Sequence, residues 1–538
     1  MMATEAAKRV PSRQSLAAAF LLGLAGVPAF APLELFPLVF VALGGLYLLL
    51  DRAGMYHWRH GALIGGIFGF GFFLGGVSWV YVSLSVFGGM AMPLAALATV
   101  LFCAYLALYP ALAGALLILL TGRGNFSGAD VQTGWQTLWR TLLFAALWRL
   151  TEWLRGRLFT GFSWLAIGYS QTPPSPLSGF APIVGVYGLS WLSAWLGALL
   201  AAVCGRVFFQ DTATGANRFQ IFRQSLPIML ILALTLFCGS LLRLIEWTQP
   251  IGQPIRVALL QGNIPQEMKW RPERLHDSLR IYHQLAREHP AQLTVLPETA
   301  IPSLLEQVPV DYLDALHRLA QRERGMLIFG VPTHDGSNYA NSAIALGNSH
   351  GNGAPQRYDK VHLVPFGEFV PPGFRWFMDL AKIPMSDFIA GSPQQSPLNL
   401  GALKIAPNIC YEDAFGEEIA RALPEAHLLV NLSNVAWFGD SLAPAQHLQI
   451  ARLRALETGR VMLRATNTGM TAIVSANGDI AAVLPPFTRG ALTGEVRAHT
   501  GATPYVRWGN LPIIALCILS LLIAATVNRI ARRRVDHR

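Results

Sequence analysis

Charged residues are scarce in this sequence. Asp, Glu, Lys and Arg make up 13% of its 538 residues, against roughly 25% in ordinary soluble domains, and 53% of the residues are hydrophobic. This composition excludes a typical soluble protein and indicates a membrane protein. The scarcity is also uneven, because long uncharged runs fill the chain before about Trp247 while charged residues crowd residues 256–497. We therefore expect two regions, one embedded in a membrane and one exposed to water.

Cysteine is scarce as well, with five residues in the whole chain. Four of them lie inside apolar runs, where a small buried residue is the ordinary interpretation: Cys103, Cys204, Cys238 and Cys517. Cys410 lies alone in the charged region, so it is either a buried inert residue or a reactive thiol. The histidines do not fall into metal-ligand spacings, and we expect neither a metal nor another cofactor.

The apolar runs predict about eight spanning helices, each of which needs about 20 apolar residues. They are residues 15–31, 33–50, 62–84, 92–120, 142–154, 182–208, 226–245 and 510–527. The first run ends in small residues, as a signal peptide does, but a second run follows at once, so we expect an uncleaved span. The fifth run is interrupted by Arg149 and Glu152.

Basic residues mark every second loop between these runs. Arg13 precedes the first run, Arg52 lies between the second and third, and three arginines occupy residues 532–534, whereas the alternate loops are nearly bare. Because positive loops stay in the cytoplasm, we predict cytoplasmic termini. This pattern explains the net charge of +10, so we expect no nucleic-acid partner.

The predicted domain organisation has three parts. Residues 1–247 form a membrane domain with about seven spans, residues 248–500 an extracytoplasmic catalytic domain, and residues 501–538 the last span with a basic cytoplasmic tail.

The charged region has the alternation of an α/β domain. Its predicted strands are residues 255–260, 293–296, 326–331, 342–346, 403–409, 428–432, 461–465 and 472–474. Its predicted helices are residues 273–288, 309–324, 416–423 and 443–457.

Three residues of this region are candidates for chemistry. Glu298 and Cys410 lie at predicted strand ends, where α/β domains gather active-site residues, and Lys360 lies in a loop-like stretch. A carboxylate can act as a general base, a thiol as a nucleophile and an ammonium as a stabiliser of oxyanion charge. Taken singly, each has an ordinary alternative, namely a solvated turn residue, an inert buried cysteine and a surface lysine.

Six short signatures surround these candidates. They are Leu260-Gln-Gly-Asn-Ile-Pro-Gln266 with Lys269 and Trp270, Leu296-Pro-Glu-Thr299, Tyr339-Ala-Asn-Ser342, Tyr358-Asp-Lys-Val-His-Leu-Val-Pro-Phe-Gly-Glu368, Cys410-Tyr-Glu412, and Asn431-Leu-Ser-Asn-Val-Ala-Trp-Phe-Gly439. Glu, Lys and Cys in this order resemble the carbon-nitrogen hydrolase (nitrilase) superfamily, whose fold is an αββα sandwich. With its apolar runs included, nearly the whole chain is similar to the bacterial apolipoprotein N-acyltransferase family. This chain has Val435 where the family motif has Asp. Any polar contact that the Asp carboxylate makes in the family is therefore in doubt for this chain.

The resemblance implies roles for nine residues. Glu298, Lys360 and Cys410 would be catalytic, Glu368, Tyr411 and Glu412 would support them, and Trp270, Asn341 and Trp437 would shape the site or its acyl-chain entrance. The implied reaction moves an acyl chain from a phospholipid to the α-amino group of the N-terminal diacylglyceryl-cysteine of an apolipoprotein. It would proceed by a ping-pong mechanism through a thioester on Cys410, in a monomeric enzyme whose catalytic domain lies in the periplasm at the bacterial inner membrane.

Two other functions remain open from the residues. A membrane-anchored amidase of the nitrilase type would hydrolyse a small amide, with water as the acceptor. A transporter or scaffold with an inert extramembrane domain would not need Cys410, although the apolar runs contain few of the charges that an ion pathway needs.

Overall fold

The structure is a computed structural model that describes residues 11–53, 57–121, 134–209, 218–336, 338–347, 355–371, 373 and 387–536. The chain separates into two compact units. One comprises Met1–Ser78, Leu97–Ile245 and Asn510–Arg538, and the other comprises Trp79–Ala96 and Glu246–Gly509. The segment Trp79–Ala96, which the sequence assigns to the membrane domain, therefore groups with the second unit. The domain boundaries at residues 247 and 501 stay predictions.

Eleven principal helices occur in the described residues. They are α1 (Arg13–Gly26), α2 (Pro37–Ala53), α3 (Trp58–Gly76), α4 (Met92–Thr121), α5 (Gly134–Arg155), α6 (Ala181–Phe209), α7 (Arg218–Leu242), α8 (Pro272–Glu288), α9 (Val310–Arg322), α10 (Ala443–Thr458) and α11 (Leu511–Asp536).

The first unit is helical, and each of the eight predicted apolar runs overlaps one of its helices, α1–α7 or α11. Within the described residues, three helices are long and apolar enough to cross a membrane: Met92–Thr121, Pro176–Gly205 and Ser225–Leu242. A fourth is added if the bent pair Trp58–Gly76 and Val80–Phe87 is one broken span. A helical region with a few apolar helices is thus confirmed, but eight spans are not shown. Some remaining helices are too short, such as α1 with 14 residues, and α5 carries several charges.

Glycines bring two helices of this unit into backbone contact. A Cβ on Gly61 of α3 would lie 2.3 Å from the carbonyl oxygen of Gly114 of α4, and a Cβ on Gly114 would lie 2.2 Å from that of Gly61. No larger residue fits at either position, which is how small residues let helices pack closely where the hydrophobic effect is weak.

The second unit contains twelve strands in its described part. They are β1 (Gln249–Gln261), β2 (Leu293–Val295), β3 (Met326–Asp335), β4 (Asn338–Gly347), β5 (Gln356–Asp359), β6 (Leu398–Leu400), β7 (Leu403–Ile409), β8 (Leu428–Ser433), β9 (Met462–Thr466), β10 (Ala472–Val474), β11 (Ile480–Val483) and β12 (Gly490–Thr500). They form two six-stranded sheets in the orders β12-β1-β2-β3-β4-β5 and β11-β10-β9-β8-β7-β6. In each sheet the three strands β1–β3 or β7–β9 are parallel, and the other pairs are antiparallel.

The two sheets face each other, because one apolar core takes side chains from both, for example Val295 and Ile328 from the first and Ile409 and Leu432 from the second. A second core packs α8 and α9 on the outer face of the first sheet, and a third packs α10 on the outer face of the second sheet. The layers are therefore helix, sheet, sheet and helix. The αββα sandwich that the sequence predicts is confirmed.

Candidate active site

Glu298 lies in the turn that follows β2, and its side chain is buried. The turn rests against β3 at Gly330, where a Cβ would lie 2.6 Å from Cα of Glu298 and 2.5 Å from the nitrogen of Thr299. Thr299 has a φ of 48°, in the left-handed region that non-glycine residues rarely adopt. The turn is thus held in an unusual conformation by close backbone packing.

The Glu298 carboxylate accepts hydrogen bonds on both oxygens. Oε1 accepts from Nζ of Lys360 at 3.1 Å and from Nδ2 of Asn341 at 2.8 Å. Oε2 accepts from the main-chain N–H of Asn434 at 2.9 Å. Burial alone raises the pKa of Glu298, but Lys360 and the Asn341 hydrogen bond outweigh it and hold the pKa below its ordinary value. The site therefore contains an ionised carboxylate.

Lys360 follows β5 directly, so the stretch expected to be a loop begins as a strand. Its main-chain N–H donates to the carbonyl of Asn341 at 2.8 Å, which joins the end of β5 to the start of β4. The buried Nζ lies between Glu298 and Glu368, 2.9 Å from Oε1 of Glu368. Burial alone lowers the pKa of Lys360, but these two carboxylates raise it above the ordinary value. This lysine stays charged at every physiological pH.

Asn341 and Glu368 complete this cluster of charges. Nδ2 of Asn341 donates to Oε1 of Glu368 at 2.8 Å as well as to Glu298, so its amide bridges the two carboxylates. The main-chain N–H of Val364 donates to Oε2 of Glu368 at 2.8 Å, which closes the Lys360–Glu368 loop on itself.

Cys410 follows β7 and opens a short 3₁₀ turn. Its φ is 54°, and a left-handed residue other than glycine costs about 1–2 kcal/mol. The thiol interacts with the N–H of Asn434, which also bonds Glu298. Burial and the neighbouring Glu298 raise the pKa of Cys410, while Lys360 opposes the rise. The resting side chain is therefore a neutral thiol beside an ionised carboxylate.

A buried polar network behind Cys410 holds its main chain. The Cys410 carbonyl accepts from Nδ2 of Asn431 at 3.2 Å and from Nε2 of His447 at 3.2 Å. Nε2 also lies 2.8 Å from Asp413, whose other oxygen accepts from Arg464 at 3.0 Å. Burial and Arg464 lower the pKa of His447, so the ring is neutral and donates through Nε2. The sequence signatures did not include His447 or Arg464.

Glu412 connects the turn that begins at Cys410 to the loop that begins at Lys360. One oxygen accepts from the main-chain N–H of Ile409 at 2.6 Å, and the other accepts from those of Val361 at 2.6 Å and His362 at 3.2 Å. The Tyr358 hydroxyl lies 3.1 Å from both oxygens. Burial raises the pKa of Glu412 to about 7, although the main-chain donors oppose the rise.

The sequence also singles out three aromatic residues near the site: Tyr411, Trp270 and Trp437. Tyr411 is buried, and its ring packs against His362 and Phe415. Trp270 is 39% exposed. Trp437 accepts a hydrogen bond at its carbonyl from Oγ of Ser83 at 2.8 Å, and its ring packs edge-on against Phe87.

Lys269 is a buried basic residue that the signatures contain but the nine predicted site residues omit. It ends the short helix Gln266–Lys269, and Nζ donates to the carbonyl of Glu298 at 3.2 Å. Asn434 fixes this helix by donating to Oε1 of Gln266 at 2.9 Å. Lys269 also interacts electrostatically with the Glu298 carboxylate and Cys410. The sequence signature contains Lys269, but the sequence does not show that this side chain is buried.

The cluster combines a neutral thiol, an ionised carboxylate and a fixed cation in one buried site. Glu298, Lys360 and Cys410 come from β2, β5 and β7, and the shared Asn434 N–H brings two of them together. This set is suited to acyl transfer, because a thiol can attack a carbonyl while a base takes its proton. Within the described ranges, no group of three or more His, Cys, Asp or Glu side chains is placed to hold a metal.

Comparison with known proteins agrees with this chemistry. The family model for "Carbon-nitrogen hydrolase" matches residues 256–505, and that for "Apolipoprotein N-acyltransferase N-terminal domain" matches residues 22–199. A Nitrosomonas europaea apolipoprotein N-acyltransferase is 46% identical over 96% of this chain and 98% of its own length. The chain belongs to the apolipoprotein N-acyltransferase family. It is therefore an enzyme, an N-acyltransferase of the carbon-nitrogen hydrolase superfamily.

Two further likenesses complete the comparison. A Ralstonia nicotianae apolipoprotein N-acyltransferase is 44% identical over 96% of this chain and 93% of its own. A solved structure of a nitrilase-superfamily member from Saccharomyces cerevisiae, 19% identical, aligns with a TM-score of 0.35 over 46% of this chain and 91% of that chain.

Val435 packs beside Gly469 in this N-acyltransferase. It is buried, and a Cβ on Gly469 would lie 2.2 Å from Cγ2 of Val435. Its neighbour Asn434 supplies the shared main-chain N–H, which does not depend on the side chain at position 435. The substitution thus leaves the contacts of Glu298 and Cys410 intact.

Proposed function

We propose that this chain transfers an acyl chain from a phospholipid to the α-amino group of the N-terminal diacylglyceryl-cysteine of apolipoproteins. The observation that carries the proposal is the buried cluster in which the Cys410 thiol, the Glu298 carboxylate and the Lys360 ammonium meet, in a chain that also has helices long and apolar enough to cross a membrane. An enzyme whose donor and acceptor are both lipids has a use for those helices, whereas a soluble amidase does not.

In the first half-reaction, Cys410 attacks the ester carbonyl of the phospholipid. Because its thiol is neutral at rest and Glu298 is ionised, the proton passes to Glu298 as the carbon–sulfur bond forms. Lys360 stabilises the negative charge that develops on the carbonyl oxygen. Glu298 then protonates the leaving alkoxide, and a lysophospholipid departs from the thioester acyl-enzyme.

In the second half-reaction, the amine of the acceptor attacks the thioester. Glu298 takes a proton from the amine nitrogen and returns it to the Cys410 sulfur, which completes a ping-pong cycle. Asn341, Glu368 and Glu412 hold Glu298 and Lys360 in position through their hydrogen bonds. Tyr411, Trp270 and Trp437 are proposed to shape the site and its acyl-chain entrance.

The proposed setting is the bacterial inner membrane. Eight spans, cytoplasmic termini and a periplasmic catalytic domain are supported by the apolar runs and by the basic residues in alternate loops. The enzyme is proposed to act as a monomer.

The test is mass spectrometry of the Cys410 peptide after the full-length protein has been incubated with a phospholipid that carries an isotopically labelled acyl chain. We expect the labelled acyl mass on the wild type and on Cys238→Ala, a control in helix α7, and none on Cys410→Ala. A wild-type protein that stays unacylated and hydrolyses a small amide would instead identify an amidase. A labelled acyl mass on another cysteine of Cys410→Ala would move the nucleophile away from Cys410.

A further inference from the structure

Lys269 is buried, and its ammonium is in direct contact with no carboxylate of the described residues. It is 2% exposed, and no Asp or Glu oxygen of the described residues lies within 4.0 Å of its Nζ. Its hydrogen bond within the described chain goes to a main-chain carbonyl, that of Glu298, although an ammonium has three N–H groups to donate. A buried ammonium in this setting is costly to the fold, which points to a use in the site.

The choice of lysine is also unusual in this chain. Of its 41 basic residues only five are lysines, so arginine is the ordinary cation here. The five are Lys8, Lys269, Lys360, Lys382 and Lys404, of which Lys8 and Lys382 lie outside the described residues. Two of the remaining three are buried in the site. Arginine cannot release its proton in a protein, whereas a buried lysine can.

The two buried lysines have opposite electrostatic surroundings. Glu298 and Glu368 raise the pKa of Lys360 despite its burial. Burial lowers the pKa of Lys269 to about 8, against the opposing attraction of Glu298 and Cys410. Cys410 is uncharged both as the resting thiol and as the thioester, so Glu298 is the charge that opposes the loss of the Lys269 proton.

We infer that Lys269 is a second proton acceptor of the site, which takes the first proton from the acceptor's α-ammonium group in the transfer half-reaction. The inference rests on the proposed function. Glu298, which Lys360 and Asn341 hold by hydrogen bonds, moves the second amine proton to the sulfur in the same half-reaction, so a separate acceptor for the first proton leaves it free for that transfer. An α-amino group has an ordinary pKa of about 7.7–8.0. A base matched to its substrate transfers the proton most efficiently.

The protons and bonds of this step balance. The ammonium R–NH₃⁺ gives one proton to neutral Lys269, which leaves R–NH₂ and a lysine ammonium. The amine attacks the thioester carbon, the carbon–nitrogen bond forms, the carbon–sulfur bond breaks, and the second amine proton passes through Glu298 to the sulfur of Cys410. Lys269 then releases its proton to water, so each turnover yields an amide, a free thiol and one proton.

The experiment separates the two half-reactions in full-length protein held in detergent. Acylation of Cys410 by labelled phospholipid is followed without acceptor, and decay of the acyl-enzyme is then followed after a synthetic diacylglyceryl-cysteine peptide is added. In Lys269→Met we expect acylation within about threefold of wild type and transfer at pH 7 slower by at least about a hundredfold, the low end of what a general base contributes. At pH 9.5, where the acceptor is already neutral in solution, the deficit should shrink to about threefold or less.

Two further variants decide between the possible roles of Lys269. Lys269→Arg keeps the charge but cannot accept a proton, so it should be as slow as Lys269→Met at pH 7. Lys404→Met, at a partly exposed lysine paired with Glu425, should match wild type in both half-reactions.

Three outcomes would overturn the inference: full transfer by Lys269→Met, full transfer by Lys269→Arg, or a deficit that is equal at both pH values. The last would indicate a structural role. A wild-type protein that never forms the acyl-enzyme would instead overturn the proposed function.

Discussion

Two buried lysines interact with the Glu298 carboxylate in the proposed site. The groups that surround each lysine determine whether it keeps its proton. Lys360 contacts two carboxylates, whereas Lys269 contacts a main-chain carbonyl. Lys360 must remain charged to stabilise an oxyanion, and its two neighbouring carboxylates keep it protonated. Lys269 must be able to accept a proton near neutral pH, and its burial lowers its pKa so that it can lose its own proton first.

Lys360→Met should therefore destabilise the protein strongly. It leaves Glu298 and Glu368 buried beside each other without their cation, and removing one partner from a buried ion pair costs about 3–5 kcal/mol. We expect a clear fall in the melting temperature in detergent and loss of Cys410 acylation. Lys404→Met should melt with the wild type, because exposed ion pairs contribute only about 0–1 kcal/mol. A Lys360→Met protein as stable as wild type would show that the two carboxylates do not need this lysine.

At the scale of the elements, the candidate site depends on how closely neighbouring strands approach. Glu298 follows β2, yet its place is set by Gly330 of β3, which leaves no room for a side chain. The left-handed conformations of Thr299 and Cys410 occur in the two turns that carry Glu298 and Cys410, the proposed base and nucleophile. Such strain persists only where the surrounding packing holds it.

Gly330→Ala tests this dependence. The new Cβ would meet backbone atoms of Glu298 and Thr299 at 2.6 and 2.5 Å, so the turn must shift, at a cost of about 1–3 kcal/mol. Because small displacements of a catalytic group are costly, we expect the rate of Cys410 acylation to fall by at least about tenfold. Gly490→Ala in β12 is the control, since a Cβ there meets nothing within 4 Å. Equal acylation rates in the two variants would contradict the proposed packing role.

The sequence predicts the central strands of the two sheets better than it predicts the edge strands. Strands β2 and β8 are wholly buried, so they appear as continuous apolar runs. The edge strands β5 and β11 are short and partly exposed, and they were missed because they show neither an apolar run nor clear alternation. The omission of β5 matters for the site, because β5 brings Lys360 beside Asn341.

At the scale of the whole molecule, composition divides the chain into an apolar helical unit and an α/β unit. Both units are discontinuous in sequence, and Trp79–Ala96 groups with the α/β unit through contacts such as Trp79 with Phe438 and Gln446. Hydropathy finds apolar runs but carries no information on such contacts.

The proposed orientation can be tested by cysteine labelling. Single cysteines would be introduced at Asn477, an exposed residue of the α/β unit, and at Arg52, an exposed residue in the last turn of helix α2, in a background that lacks the five native cysteines. A membrane-impermeant maleimide added to intact spheroplasts should label Asn477→Cys at once and Arg52→Cys only after lysis, because basic loops stay in the cytoplasm. The reverse labelling would invert the proposed topology.

The sequence by itself determined the two regions, the α/β character of the second and the candidates Glu298, Lys360 and Cys410, because hydrophobic periodicity and short signatures are local properties of a chain. The αββα sandwich was implied by the family resemblance that those signatures carry. Only the tertiary structure decided that Asn434 joins Glu298 to Cys410, that His447 holds the Cys410 carbonyl and that Lys269 is buried against Glu298. These contacts link residues up to 136 positions apart. A lysine's proton affinity depends on its burial and on neighbouring charges, and neither exists until the chain has folded.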